Sequence, residues 1–338
     1  MKMEKIAVIG RFEPFHKGHA PLLDQAFDSG EHVLIVLGSS FKARNAKNPF
    51  IWEERAAMIS STLNEDQKSR VSFIPVRDYY DDTLWSNEII RAVQDTGNKD
   101  AREIGLIGLK KDASSYYLDL FPGWNSINSQ QHGKIDATSI RQIYFETENQ
   151  PAARALLSGL LPESVAAYMD GWKHLPQYQQ MQEEHFAIEA YKKRWGEGPF
   201  TTVDAIVTVS EHVLLVRRNH HPGKGLWAIP GGYLEQRERL IQAAIRELKE
   251  ETNLALIDST IAEKFKKALV FDRADRSLRG RVITHVHHFD FGDSRLFEVK
   301  ADGIETLEAK WFPIADLDKM ESQLFEDHFS ILTHFLKI

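Results

Sequence analysis

Residues 232–254 read Gly-Tyr-Leu-Glu-Gln-Arg-Glu-Arg-Leu-Ile-Gln-Ala-Ala-Ile-Arg-Glu-Leu-Lys-Glu-Glu-Thr-Asn-Leu. Read as a helix behind a glycine loop, the run sets Glu247, Glu250 and Glu251 within about one turn, because residues three and four apart share a face. Glu238 is a fourth acid ahead of them. Like charges this close repel by a few tenths of a kcal/mol each, roughly, unless a cation sits among them. Hard divalent ions such as Mg²⁺ take oxygen ligands of this kind, usually shared with substrate phosphates. A solvated acidic helix face is the plainer reading of any one Glu-Glu pair. The spacing of the whole run favours a metal.

That spacing resembles the Nudix box: glycine, five residues, Glu, seven residues, then Arg-Glu-apolar-any-Glu-Glu-any-Gly-apolar. Gly232, Glu238, Arg246, Glu247, Leu248, Glu250, Glu251 and Leu254 fill the pattern in register, and Asn253 stands where the family has glycine. The family glycine would end the helix in a left-handed conformation, for which Asn is the next-best residue. The resemblance implies a Nudix-type hydrolase with Mg²⁺, or Mn²⁺ in its place, on Glu247, Glu250 and Glu251. Gly231 would lend a backbone carbonyl. It also implies that Arg246 orients a carboxylate across the loop, such as Glu238, rather than touching substrate. The general base is open among Glu251, Glu305 and Glu308.

Outward from the box, the chain of 338 residues is long for one core, and length alone suggests two domains. Hydrophobic content of 42% and charged content of 27% are ordinary for a globular protein. With 42 basic and 49 acidic residues the formal charge is −7, no electrostatic footprint for nucleic acid or an anionic membrane. No apolar run reaches the length of a membrane span, and no secretory leader is legible. Cysteine is absent, which excludes disulfides and thiol chemistry. The expected location is the cytoplasm; the oligomeric state, a homo-oligomer included, stays open.

The first half alternates apolar runs at 5–10, 32–37, 71–76 and 104–109 with helical patterns at 18–28, 52–63 and 84–94. Strand–helix alternation predicts a doubly wound, Rossmann-like parallel sheet, whose ligands bind outside the carboxyl ends of the strands. The loop after the first strand reads Gly10-Arg11-Phe12-Glu13-Pro14-Phe15-His16-Lys17-Gly18-His19. Two histidines here stand where a helix begins, and a helix N-terminus with its unpaired N–H groups favours phosphate. Imidazoles can donate to phosphate oxygens, and Arg11 and Lys17 add fixed charge. Taken alone, His16 and His19 are more simply a turn cap and a half-buried ring.

A downstream match changes that reading. The nucleotidylyltransferase superfamily pairs an H-x-G-H loop with an Ile-Ser-x-Thr-x-Ile-Arg-like signature, and this chain has Ile135-Asp136-Ala137-Thr138-Ser139-Ile140-Arg141, with Asp136 where the pattern has serine. Gly10–His19, Asn48-Pro49-Phe50 with Glu54-Arg55, Arg77-Asp78-Tyr79 with Leu84-Trp85, and the run at 111–117 resemble the archaeal type of nicotinamide-nucleotide adenylyltransferase. The likeness spans about 1–180. The chain as a whole resembles the bacterial bifunctional nicotinamide mononucleotide (NMN) adenylyltransferase/Nudix hydrolases. The resemblance implies that NMN and ATP give NAD⁺ and pyrophosphate. His16 and His19 would then lie on the ATP phosphates, with Arg141 and Arg11 neutralising charge. Gly10, Phe12, Gly18, Thr138 and Ser139 would line the substrate, with Mg²⁺ bridging phosphate oxygens. Trp85 would stack on the pyridinium ring; a core tryptophan is the competing reading of it.

Residues 181–199 are expected to connect the two domains and 200–338 to form an α+β Nudix fold. β-branched runs at 201–209 and 212–217 around Ser210-Glu211 look like a hairpin. His285, His287 and His288 read as ordinary strand residues. Arg273, Arg276, Arg279 and Arg281 fall in a segment that looks like that of ADP-ribose pyrophosphatases; with the fusion to an NAD-forming domain, the resemblance makes ADP-ribose, or a related nucleoside diphosphate, the expected substrate. Two alternatives stand beside this reading: a preference for nicotinate mononucleotide in the first domain, and an ADP-ribose or nucleotide sensor in the second.

Overall fold

β1 (Met3–Gly10) turns Ile6 and Val8 to one side and Ala7 to the other, all fully buried, so the strand reads as an unbroken apolar run. The computed structural model describes residues 2–99, 101, 103–108, 113–129, 135–147 and 149–337. The chain divides into two compact units, Met1–Gln182 and Glu183–Ile338.

In the first unit β1 is followed by α1 (Ala20–Ser29), β2 (Gly30–Leu37), α2 (Trp52–Ser60), α3 (Glu65–Ser69), β3 (Val71–Pro75), α4 (Asp82–Asp95) and β4 (Ile104–Gly108). A 3₁₀ segment at Ala113–Leu120, β5 (Asn125–Asn128), α5 (Ala137–Glu146), α6 (Gln150–Leu160) and α7 (Glu163–Trp172) follow. The sheet runs β3-β2-β1-β4-β5 with every neighbouring pair parallel. Ile6, Val8, Val33, Ile35 and Leu37 pack with Leu23, Phe27, Met58 and Ile59 on one face, while Ala7, Leu34 and Val36 meet Ile89 and Val93 of α4 on the other. The strand order reverses at β1 and β4, so a crevice opens beyond their carboxyl ends, where the loop of 10–19 lies.

Boundaries differ from expectation in small ways with local causes. α1 starts at Ala20 rather than residue 18, because the His19 N–H turns back onto the His16 carbonyl at 2.8 Å. α4 starts at Asp82 rather than 84, since the Asp81 carboxylate accepts the Thr83 and Leu84 amides at 2.7 and 3.0 Å as an N-cap. Leu109, Lys111 and Asp112 lie outside the described residues.

α8 (Pro176–Trp195) carries the division between the units within its length. The second unit then contains β6 (Phe200–Val209), β7 (His212–Arg218), β8 (Trp227–Ala228), β9 (Gly231–Tyr233), α9 (Leu240–Thr252), α10 (Asp258–Ala262), β10 (Phe265–Phe271), β11 (Val282–Asp290), β12 (Thr306–Pro313) and α11 (His328–Leu336). Its mixed sheet runs β10-β11-β6-β7-β12, with β8 on β7 and β9 on β6; β11 and β6 are parallel. Ser210 and Glu211, both at positive φ (43° and 59°), make the β6–β7 hairpin turn. Positive φ at both central residues matches the right-handed strand twist. α9 buries Ala243, Ala244 and Leu248 against Val203, Ala205 and Val207 of β6, which brings its acidic side to β9.

Candidate functional site

Two constellations stand out, one in each unit. In the first, Gly10 ends β1 and the chain folds into a loop whose Phe12, Glu13, Phe15 and His16 are buried. The His16 and His19 rings stack, with centroids 3.7 Å apart and planes 21° from parallel. The Gly18 amide donates to His16 Nδ1 at 3.1 Å, and the His16 amide donates to His19 Nδ1 at 3.3 Å. A nitrogen that accepts from an amide carries no proton itself, so both rings are held in the tautomer with the proton on Nε2. Arg11 and Lys17 are exposed beside them.

The loop is fastened from below by Arg55 of α2, which is fully buried. Its Nη1 donates to the Arg11 and Gly38 carbonyls at 2.6 and 2.8 Å, and its Nε lies 3.3 Å from Glu13 Oε1. Burial pushes the Glu13 carboxyl up to about 8 against the pull of Arg55. The Phe50 amide donates to its other oxygen at 3.2 Å.

The distant signature arrives at the same loop. Arg141 Nη1 donates to the Glu13 carbonyl at 2.6 Å, and its Nη2 to Thr138 Oγ1 at 3.3 Å. Burial draws the Arg141 guanidinium down to about 10. Asp136 is the N-cap of α5: one oxygen accepts the Ser139 amide at 2.9 Å and the other its hydroxyl at 2.8 Å. The residue that departs from the pattern therefore caps the helix that positions Arg141. His16, Gly18 and His19 thus share one loop with Arg141, which brings Thr138 with it, while Ser139 is bonded to Asp136. Trp85 does not lie in that contact network; half-buried, it packs edge-on against Tyr117 and tilted against Phe121, each at 6.0 Å.

In the second unit the acids of α9 face β9. Glu251 accepts the Gly231 amide at 2.9 Å, and a Cβ on Gly232 would lie 2.4 Å from Glu247 Oε1, so a side chain there would push the Glu247 carboxylate out of its place. Burial pushes Glu247 up to about 7 and Glu251 to about 8. Arg246 binds Glu238 through two nitrogens, at 2.7 and 3.0 Å, as its expected role across the loop requires. It also donates to Glu247 and Glu250, both at 2.9 Å, and to the Tyr233 carbonyl at 3.2 Å. Glu250 is more exposed than its two neighbours and turned to Arg246. Among the described residues no three His, Cys, Asp or Glu side chains stand close enough to hold a metal as they are. Asn253 takes φ 47° and ψ 32°, the left-handed cap, and its amide donates to the Lys249 carbonyl at 2.9 Å.

A pocket opens beside Glu251 and Gly231, lined by Asp204, Arg218, Arg276, Arg279, Tyr233 and Phe325 among others. The arginine segment thus splits: Arg276 is buried on Asp327 at 2.8 and 2.9 Å and Arg279 lies 3.3 Å from Glu326, whereas Arg273 is exposed beside Asp275 and Arg281 pairs with Asp272. Arg218 stacks 4.1 Å over Phe325. Burial raises Asp204 to about 6 and lowers His328 to about 3, leaving that ring neutral with Nδ1 accepting the Ile229 amide at 2.9 Å. Arg218, Asp204 and His328 carry no motif in the sequence. Only the pairing of β9 to β6 and the close of α11 bring them to the glycine loop.

Residues 7–109 match the family model described as cytidylyltransferase-like, and residues 198–335 match that of the NUDIX domain. A nicotinamide/nicotinic acid mononucleotide adenylyltransferase of Acinetobacter baylyi is 32% identical over 190 residues, 56% of this chain and 97% of that protein. An ADP-ribose pyrophosphatase of Methanocaldococcus jannaschii is 34% identical over 140 residues, 41% of this chain and 74% of that one. The crystal structure of a bifunctional NMN adenylyltransferase/ADP ribose pyrophosphatase from Francisella tularensis, complexed with AMP and a manganese ion, is similar with a TM-score of 0.88. The two share 35% sequence identity, and the match covers 99% of each chain.

Proposed function

The chain belongs to the bifunctional NMN adenylyltransferase/ADP-ribose pyrophosphatase family, and from that premise we propose which residues perform each reaction and on what. The first unit joins NMN to ATP: the NMN phosphate oxygen bonds to the α-phosphorus of ATP as the bond to the leaving pyrophosphate breaks. No covalent enzyme intermediate is needed, so the work is positioning and neutralisation of charge. His16 and His19 donate from Nε2 to phosphate oxygens, a role that the Nδ1 acceptors support without any titration. Arg141 and Arg11 face the charge that grows on the leaving group, and Thr138 and Ser139 line the nucleotide. Trp85 remains the candidate for the pyridinium ring, where contact with a cation favours binding by roughly 0.5–2 kcal/mol.

The second unit cleaves ADP-ribose: water adds to one phosphorus, the bridging P–O bond breaks, and AMP and ribose 5-phosphate leave. Glu247, Glu250, Glu251 and the Gly231 carbonyl form the ligand set for Mg²⁺ or Mn²⁺. The donor chemistry fits, because two buried carboxyls with raised affinity for protons gain a counter-charge from a hard divalent ion. Such an ion, when bound, polarises the diphosphate and lowers the pKa of the attacking water. Arg246 keeps Glu238 and the glycine loop in register, and Arg218, Arg276 and Arg279 line the side that takes the substrate. Of the acids considered as general base, Glu305 is a loop acid whose charge is felt at both Glu247 and Glu251.

The single observation that carries the proposal is the meeting of Arg141 with the histidine loop across 128 residues of sequence. One chromatographic assay tests it: ATP and Mg²⁺ with NMN or with nicotinate mononucleotide, and ADP-ribose separately. NAD⁺ with pyrophosphate in the first, and AMP with ribose 5-phosphate in the last, are expected. ADP-ribose that binds without being cut would make the second unit a sensor.

A further inference from the structure

The family match to the second reaction begins at residue 198, yet the pocket wall is held in part from before that point. Glu184, on the stretch of α8 that belongs to the second unit, is buried. Its two oxygens accept the Gly223 amide at 3.0 and 2.9 Å, and one of them lies 2.7 Å from His221 Nδ1. The tripeptide so held leads directly to the pocket. The Pro222 carbonyl accepts from Arg218 Nε at 3.0 Å, and Gly223, at φ 77°, fits so closely over Phe325 that a Cβ would lie 2.2 Å from its ring. Arg218 and Phe325, stacked on one another, both line the pocket.

Seven residues on, two helical turns along α8, Tyr191 reaches a second stretch of the lining. Its hydroxyl lies 2.5 Å from the Tyr233 hydroxyl, which in turn accepts from Arg279 Nη1 at 3.3 Å. The Tyr233 carbonyl accepts from Arg246, the residue that also binds Glu238, Glu247 and Glu250. One face of the helix therefore fastens two stretches of the pocket lining, each through a polar side chain in contact with a residue next to a cationic group, and the two arginines so reached lie against the same Phe325 ring.

We propose that Glu184 and Tyr191 are positioning residues for the diphosphate-cleaving site, setting Arg218 and Arg279 for a substrate with two anionic phosphates. The inference rests on the reading of the second unit as an ADP-ribose pyrophosphatase. Arginines that bind the diphosphate equally before and during its cleavage contribute to affinity more than to turnover.

The test is steady-state kinetics of ADP-ribose cleavage with the full chain, wild type against Glu184→Ala, Glu184→Gln and Tyr191→Phe. Each preparation is checked by circular dichroism and by its NAD⁺-forming rate. Glu184→Ala is expected to raise KM roughly three- to tenfold, the range of one or two lost hydrogen bonds, with kcat within about twofold. Glu184→Gln, which still accepts from Gly223 and keeps a polar atom beside His221 Nδ1, should keep KM near wild type, and Tyr191→Phe should raise KM less than Glu184→Ala does. A helix that merely stabilised the fold would give the opposite pattern, a lower apparent kcat from loss of folded protein and an unchanged KM, and that result would overturn the proposal. Should Glu184→Ala not fold, Tyr191→Phe alone decides, with an unchanged KM counting against. Calorimetric Kd values for ADP-ribose separate the two layers of argument. A wild type that binds but does not cut overturns the hydrolase reading and leaves the positioning test to Kd; a wild type that does neither overturns both.

Discussion

At the scale of single residues, what matters is which proton or charge each group holds before substrate arrives. On the proposed reading His16 and His19 turn Nε2 donors to phosphate, fixed by the amides at their Nδ1 atoms, so His19→Ala would remove a contact made to charge in the transition state. A contact of about 1.4 kcal/mol is already a factor of ten, so adenylyl transfer should drop well over tenfold while ADP-ribose cleavage in the same sample persists. Loss of both together would count against separate sites. Glu251→Gln should do the reverse, abolishing cleavage and sparing NAD⁺ formation; cleavage that survives removes the metal assignment. The raised carboxyls also make a prediction about stability. Glu247 and Glu251 keep protons to about 7 and about 8, against an ordinary 4.5, so near pH 7–8 the folded chain binds more protons than the unfolded one. Stability then falls as pH rises through that window. Glu13, raised to about 8, adds to the fall with the same sign, while the histidines whose folded affinity for protons is lowered act with the opposite sign only below about 6.5. Melting temperature in EDTA should decline from pH 7 to 8.5, less steeply in Glu251→Gln and less steeply with Mg²⁺ added. A melting temperature that climbs over this range would refute the assignment of protonated carboxyls.

At the scale of elements, α9 holds the acids in place and Asn253 decides where it stops. An L-residue other than Asn or Gly at φ 47° pays roughly 1–2 kcal/mol. Asn253→Ala should therefore lower unfolding free energy in urea by about 1–2 kcal/mol, whereas Asn253→Gly should cost little beyond the lost Asn253 side-chain bond to the Lys300 carbonyl. Equal losses in the two variants would mean that the side chain, not the backbone, holds the cap. The left-handed cap was legible in the sequence because a helix end is a local event governed by one residue's φ. So were the Ser210–Glu211 turn and the unbroken apolar strands of a doubly covered sheet, whereas the pairing of Arg246 with Glu238 came only with the resemblance to the box. What stayed hidden depends on contacts between strands or helices far apart in sequence. Asp204 and Arg218 look like ordinary strand residues until β9 and α11 close over them, and Glu184 looks like one more acid on a polar helix until a glycine amide 39 residues away meets it. Asp136 departs from the serine of the pattern, and only the folded chain shows its carboxylate performing the capping that the helix needs. Trp85 was chosen by its place in a pattern, and spacing alone carries no information on whether a ring faces a crevice or the Tyr117 and Phe121 rings.

At the scale of the whole molecule, the two reactions oppose each other on paper, one forming a diphosphate link and the other cutting one, yet they draw on unlike chemistry. On the proposed reading the first unit relies on imidazole and guanidinium groups at the end of a parallel strand, and the second on carboxylates at a glycine loop. Each unit has its own core: Ile6, Val8 and Val33 on one side of the division, Val203, Ala205 and Leu248 on the other, with no buried residue common to both. A ligand that binds only the folded form of one unit stabilises that unit by RT ln(1 + [L]/Kd), about 2.7 kcal/mol at a hundredfold excess over Kd. Two such cores need not melt together, and two-state analysis is not safe for a chain of this kind. Scanning calorimetry is therefore expected to resolve two transitions, of which ATP with Mg²⁺ raises one and AMP with Mg²⁺ at the acid-lined pocket raises the other. AMP is a nucleotide that either proposed site would take, so assignment comes from variants: Asn253→Ala should lower only the transition of the second unit, and His19→Ala should blunt only the shift produced by ATP. A single transition displaced equally by both variants would mean that the chain folds and binds as one cooperative body, and the separation of the two chemistries would then have to be sought in the sites alone.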